Sequence, residues 1–260
     1  MNKEAGKPRP WTDDPILDKY KFCNVFRELD RVTIWIKDNI RDPYILDNKL
    51  PALMGIARQI NWPPTLQAMI DAGILAPYNA QATRRLMKKI PGKVLTGAYL
   101  ITGSGVPQGW KKCEHIAVNI LGPLWKGKIT ITETVEEMWK QLMTYHGFGP
   151  FLSYQVCVDL SWTPWLCNAP DLNTFAAMGP GSKRGVRWLL GKKPSSKEGL
   201  EVMRRLYEEQ DLYREEHVPH IRLSDIQNAL CETDKYLRTV KSNGVKRPRA
   251  IYKETSDVQF

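Results

Sequence analysis

The sequence has little that would serve metal, disulfide or membrane chemistry. Its five cysteines, Cys23, Cys113, Cys157, Cys167 and Cys231, are scattered, and no two stand as CxxC. The four histidines are equally dispersed. A zinc site needs ligands at short, paired spacings, and none is offered. The expectation is a reduced, cytoplasmic protein with no evident cofactor, a divalent metal being left open. No apolar run approaches the roughly 20 residues of a membrane span. The opening residues, MNKEAGKPRPW, lack the apolar stretch of a secretory leader. Strand signals are also scarce. Only 94–101 (VLTGAYLI) and 128–132 (KITIT) qualify, and each reads equally well as a helix end. There is no internal repeat and no low-complexity tract.

What is present is apolar content and positive charge. At 260 residues and 42% hydrophobic, the chain can bury a core, as one large domain or two small ones. A net charge of +10 favours a polyanionic partner over a neutral one. Simple solubility is the bland alternative.

Apolar periodicity predicts a mainly α fold. Residues 1–12 read as a flexible arm, 13–242 as a single helical domain, and 243–260 as a basic tail. Asp13 or Asp14 is placed to cap a first helix with Pro15 in its first turn, running to about Asn39. Further helices are predicted at 51–60, 64–72, 79–89, 109–121, 133–145, 150–160, 171–178, 197–215 and 223–240. Glycine and proline cluster at 103–109 and 179–194, which predicts loops.

The most informative segment is 138–160, MWKQLMTYHGFGPFLSYQVCVDL. Two helical patterns flank Gly147-Phe148-Gly149. Glycines permit backbone geometry that a side chain blocks. Phe148 would pin the corner into the core, and the amides opening the second helix could face a phosphate. That contact positions DNA without reading its sequence. An ordinary helix–turn–helix connection is the plainer alternative.

Three other features carry charge or a motif. On a continuous helix, Asn24, Arg27 and Arg31 would share one side, with Glu28 and Asp30 interleaved. Glu232, Asp234, Lys235 and Arg238 form a second cluster, which a solvated helix face explains almost as well. Residues 122–129, GPLWKGKI, nearly fit a phosphate-binding GxxxxGK[ST], but Ile129 replaces the hydroxyl residue and Leu124 and Trp125 crowd the supposed loop.

The GFG corner resembles that of the helix-hairpin-helix DNA glycosylases, which extrude a base into a pocket between helical lobes. The resemblance implies a glycosylase-like helical fold of one or two lobes. Many of those enzymes carry a catalytic lysine two positions after the second glycine. Here that position is Phe151, which argues against a Schiff-base mechanism. They also carry an essential aspartate further on. Asp171 lies near that place and Asp159 is its rival. Asp171 could equally cap a helix starting at Leu172.

Three further segments, YKFCNVFRELDRVTIWI (20–36), FAAMGPGSKRGVRWLLG (175–191) and LSDIQNALCETDKYLR (223–238), narrow the match. Together they resemble the alpha-glutamyl/putrescinyl-thymine pyrophosphorylases, the amino acid:DNA transferases. They are also similar to the helical domain of 5-hydroxymethyl-deoxyuridine DNA kinases. The implied role is bacteriophage DNA hypermodification in an infected bacterial host. The enzyme would displace pyrophosphate from a pyrophosphorylated 5-hydroxymethyl-uracil in double-stranded DNA and attach an amino acid or polyamine. Departing pyrophosphate needs cations, which Lys183, Arg184 and Arg187 supply, helped by free amides if Ser182 begins a helix. The attacking amine needs a carboxylate, for which Asp171, Asp159 and Asp30 are candidates, with Arg27 beside Asp30. Asn24, Glu28, Arg31, Glu232 and Lys235 could line a pocket, and Trp162 and Trp165 could stack on an everted base. The alternatives are a monofunctional glycosylase for a modified pyrimidine and a non-catalytic DNA-binding module of a base-modification system.

Overall fold

A computed structural model describes residues 8–97, 105–245 and 251. The residues 98–101 of the first strand candidate lie outside them, as do 1–7 of the arm and most of the basic tail. Every regular element among the described residues is helical, apart from one isolated antiparallel bridge between Tyr20 and Ile251. The chain divides into two compact units. One is Arg31–Ala177; the other combines the described residues of Met1–Asp30 and Met178–Gln259.

In the unit Arg31–Ala177, helix α2 (Arg31–Ile36) runs into a π turn (Lys37–Arg41). Helix α3 (Leu50–Ile60) follows, and all eleven of its residues are buried. Pro51 starts α3, and Asn61 ends it in the left-handed region at φ 42°. Pro63 opens α4 (Pro63–Asp71). The Asn79 side chain accepts from the Ala82 amide to start α5 (Ala80–Lys89), which stops ahead of Pro91. Helix α6 (Lys112–His115) continues through a π turn (Ile116–Ile120) into α7 (Leu121–Lys126). Helices α8 (Val135–Met143) and α9 (Pro150–Leu160) complete the unit. Helix α9 is buried from Leu152 to Leu160 and packs on α3 and α8. A helix buried on nearly all sides, polar Ser153, Gln155 and Asp159 included, lies at the centre of the core.

The other unit holds α1 (Pro15–Lys19), α10 (Pro180–Leu190), α11 (Ser196–Glu208) and α12 (Leu223–Lys241). Helices α10 and α12 cross at contact distance. A Cβ added at Gly185 would lie 2.2 Å from the Leu230 carbonyl oxygen.

Several sequence expectations are corrected. The helix expected from Asp13 to Asn39 is broken after Lys19, and Asn24 lies in non-helical chain. The Asn24 side chain accepts from the Phe26 amide at 3.0 Å, a local bond that competes with a helical turn. Arg27–Leu29 form only a short 3-10 turn, so Asn24, Arg27 and Arg31 share no helix face. No helix forms at 171–178, where the chain makes turns. The expected loop at 179–194 is largely α10, because its glycines serve close packing against α12 and only Gly191 ends the helix at φ 69°. Residues 128–132 form no strand. Residues 122–126 of GPLWKGKI lie inside α7, and the Lys49 ammonium caps its end through the Trp125 and Gly127 carbonyls. That is not the loop that cradles a phosphate.

Candidate nucleic-acid interface

The corner between α8 and α9 follows from its residues. Gly147 sits at φ 84°, and a Cβ there would lie 2.8 Å from Ile120 Cγ2. Only glycine satisfies both conditions. Phe148 is 2% exposed and packs over Gly55 of α3, where a Cβ would stand 3.2 Å from the ring. The Trp139 indole donates to the Pro150 carbonyl at 2.8 Å and ties α8 to the start of α9. Gly149 is the N-cap of α9 and no side chain caps that end. A Cβ at Gly149 would meet nothing within 4 Å, so the fold itself does not require this second glycine. The exposed Gly147, Gly149 and Pro150 leave the α9 end approachable from solvent.

The two aspartates nearest this corner are both engaged. Asp159 is 1% exposed and takes the Arg58 guanidinium in a bidentate pair, at 2.6 Å to Nε and 2.5 Å to Nη2. Arg58 also donates to Thr33 Oγ1 at 3.1 Å. Asp171 turns its two oxygens to the amides of Val135 and Glu136, at 2.7 and 3.0 Å. Thr134 caps the Glu137 amide of the same end. Asp171 is therefore a helix cap, but of α8 rather than of a helix beginning at Leu172. Trp162 is 41% exposed and Trp165 half-buried, both just after α9.

The remaining expected site residues, Arg31 apart, lie in the other unit. Ser182 is buried, donates to the Gly179 carbonyl and accepts from Gln227 at 3.2 Å. Its hydroxyl faces inward, and α10 begins earlier, at Pro180. Arg184 and Arg187 are exposed and Lys183 is half-exposed. Buried Asp234 organises the outer face of α10 and α12. It accepts from Arg184 at 2.8 Å, Arg238 at 3.0 Å and the Trp188 indole at 3.3 Å. The Lys241 ammonium lies 5.2 Å from the Trp188 ring centroid. The result is a cationic face with an aromatic ring in it. Trp188 was missed because the helix carrying it reads as a loop.

Residues 22–24 pack on α12. The Cys23 amide donates to Glu232 at 3.0 Å, Lys235 pairs with Glu232, and Asn228 donates to the Asn24 carbonyl. The Arg27 amide donates to Asp225 at 3.1 Å. Burial raises the Asp225 carboxyl above its ordinary value, against the pull of the Arg27 and Arg222 amides. Asn24, Arg27, Glu28, Asp30, Glu232 and Lys235 thus belong to one unit, whereas Arg31, Trp162 and Trp165 belong to the other. Among the described residues, no group of three metal-ligating side chains forms, and no helix is long and apolar enough to cross a membrane.

These features define a basic protein, helical in every regular element of the described residues, with a glycine-cornered pair of helices in one unit and a cation–tryptophan face in the other. Over residues 1–246 the chain matches the family described as "5-hmdU DNA kinase, helical domain", and it belongs to that family. The 5-hmdU DNA kinase of Bacillus phage SP10 is 28% identical over 218 residues, covering 71% of this chain and 32% of that protein. The chain therefore spans about a third of the length of that curated relative. No solved structure matches.

Proposed function

We propose that this chain is the DNA-engaging helical module of a phage hypermodification system, holding duplex DNA that carries 5-hydroxymethyl-deoxyuridine. The observation that carries the reading is the family match over residues 1–246. Physical support comes from the net charge of +10 and from the exposed start of α9, whose N-cap, Gly149, has no side chain to cap it. On this reading the corner is a helix-hairpin-helix that fixes the position of the backbone. The test is fluorescence anisotropy with two duplexes that differ only in 5-hydroxymethyl-uracil against thymine. Saturable binding at low salt, at least as tight for the modified duplex, is the expected result. No binding of either duplex would refute the proposal.

A second reading, amino acid:DNA transfer, is favoured by the Glu232–Lys235 pair beside residues 22–24. In that reaction the amine nitrogen bonds to the exocyclic carbon of the pyrophosphorylated base. The carbon–oxygen bond breaks, pyrophosphate departs with the electron pair, and a carboxylate takes the amine proton. Arg184 and Arg187 would offset the leaving charge. Mass spectrometry of nucleosides, after incubation of pyrophosphorylated DNA with mixed amino acids and polyamines, decides it. An amine adduct establishes the transferase. Abasic sites would indicate a glycosylase, and unchanged DNA a binding module.

A further inference from the structure

From residue 72 to residue 113 the sequence contains no aspartate or glutamate but seven lysines and arginines. Five of them fall between Arg84 and Lys93, four on α5 alone. Arg84 and Lys88 stand at i,i+4, as do Arg85 and Lys89, so like charges repel along the helix. Among the described residues, no carboxylate comes within ion-pair distance of Lys88, Lys89 or Lys111. The first acid after the run is Glu114. It is buried and taken up by the Lys111 amide at 2.9 Å and by Arg84 at 3.0 Å, which hold its carboxyl below the usual range.

These cations border a groove. The end of α5, residues 90–95 and the start of α6 enclose about 560 Å³. Lys88 and Lys89 from α5 and Lys111 and Lys112 from the start of α6 line it, together with the apolar Met87, Val94 and Leu95. Tryptophans brace neighbouring cations. The Arg84 guanidinium lies 3.7 Å from the Trp110 ring centroid, and the Lys93 ammonium 3.7 Å from that of Trp62. A solvated helix face accounts for exposed lysines on one helix. It does not account for cations from two separate helices lining one groove, with the local carboxylate buried.

We propose that this groove is a second DNA site, which grips the sugar–phosphate backbone apart from the α8–α9 corner and α10. The inference rests on the DNA reading above. Geometry links it to the corner: the helical run that starts at Lys112, which lines the groove, passes through Ile120, against which Gly147 packs. Eight residues of helix rise about 12 Å. One duplex, whose turn spans about 34 Å, can touch both places.

The test measures the affinity of the full chain for an unmodified duplex as potassium chloride is raised from about 50 to about 200 mM. Each lysine–phosphate contact contributes roughly 0.9 to the slope of log K against log salt, so Lys88→Ala/Lys89→Ala/Lys111→Ala should lower that slope by about 3. The corresponding triple glutamate variant should bind at least about tenfold more weakly at the lower salt. A control with the same charge change at Lys126, Lys140 and Lys197 should keep most of the affinity. In the wild type, duplex DNA should also slow acetylation of Lys88, Lys89 and Lys111, a readout that needs no variant. If the wild type binds with a steep salt slope but the alanine variant keeps that slope, the groove is refuted and the DNA reading stands. An equal loss in the control variant also refutes it, as does displacement of the duplex by polyglutamate at equal charge. If the wild type binds no duplex, the DNA reading itself fails and the groove falls with it.

Discussion

Replacing Gly147 by alanine should cost far more than replacing Gly149, although the two glycines look equivalent in the sequence. At φ 84° an alanine must sit in the left-handed region, at a cost of about 1–2 kcal/mol. Its Cβ would also stand 2.8 Å from Ile120 Cγ2 and 2.9 Å from Cδ1. Ile120 is itself 2% exposed, so it has little room to yield, and such crowding typically adds about 1–3 kcal/mol. A total of about 2–5 kcal/mol is expected for Gly147→Ala on those two costs. Gly149 has φ −82° and open space where a Cβ would go. There, loss of a slightly better N-cap is offset by a less flexible unfolded chain, so Gly149→Ala should fall within about 0.5 kcal/mol of wild type. Urea unfolding followed by far-ultraviolet circular dichroism and tryptophan fluorescence measures both. If the two units unfold separately, the loss belongs to the transition of Arg31–Ala177. Equal costs for the two variants, or a cost below about 1 kcal/mol for Gly147→Ala, would refute the reasoning.

Asp159→Asn leaves the Arg58 guanidinium, 2% exposed, without its countercharge. A loss of about 3–5 kcal/mol is expected in urea unfolding, with much of it recovered when Arg58→Met and Asp159→Leu are combined. Asp171→Asn keeps one acceptor oxygen for two amides and should weaken the start of α8 by about 0.5–2 kcal/mol, seen as faster hydrogen exchange at Val135 and Glu136. Burial, with His146 nearby, holds the His115 imidazole below its ordinary value of 6.5. The unfolded chain therefore takes up this proton first on acidification, so the contribution is complete above pH 6.5 and is lost as pH falls from there towards the folded value. His115→Gln should flatten that part of the stability–pH curve.

The helices that were legible in the sequence carry their own punctuation. Pro51 and Asn61 bracket α3, and Asn79 and Pro91 bracket α5, so short-range chemistry fixes their ends. Helix α9 was equally legible, between Gly149-Pro150 and the end of its apolar run. The failures come from tertiary demands on ambiguous residues. Gly181 and Gly185 suggest a loop until α12 is known to press on them. Asn24 spends its side chain on the Phe26 amide and ends a helix that periodicity alone would continue. Asp171 looks like a cap for the residues after it, but it serves a helix that begins 36 positions earlier. In the candidate sites, Gly147-Phe148-Gly149 was recognisable because a glycine corner is a local signal. The Arg58–Asp159 pair, 101 residues apart, gave no local signal at all. The acid-free run from 72 to 113 was visible as a charge count, but only the groove gives it a shape.

The most direct test of the account is the affinity of the full chain for unmodified duplex DNA as a function of salt. Neutralised phosphates release counterions, so log K should fall linearly with log salt at about 0.9 per contact. With the corner and the lysine groove of the unit Arg31–Ala177 engaged, a slope equivalent to about six or more contacts is expected, and a loss of roughly a thousandfold or more between 50 and 200 mM salt. An affinity that stays level over that range, or no binding at its lower end, would contradict the claim that this chain holds DNA by its backbone.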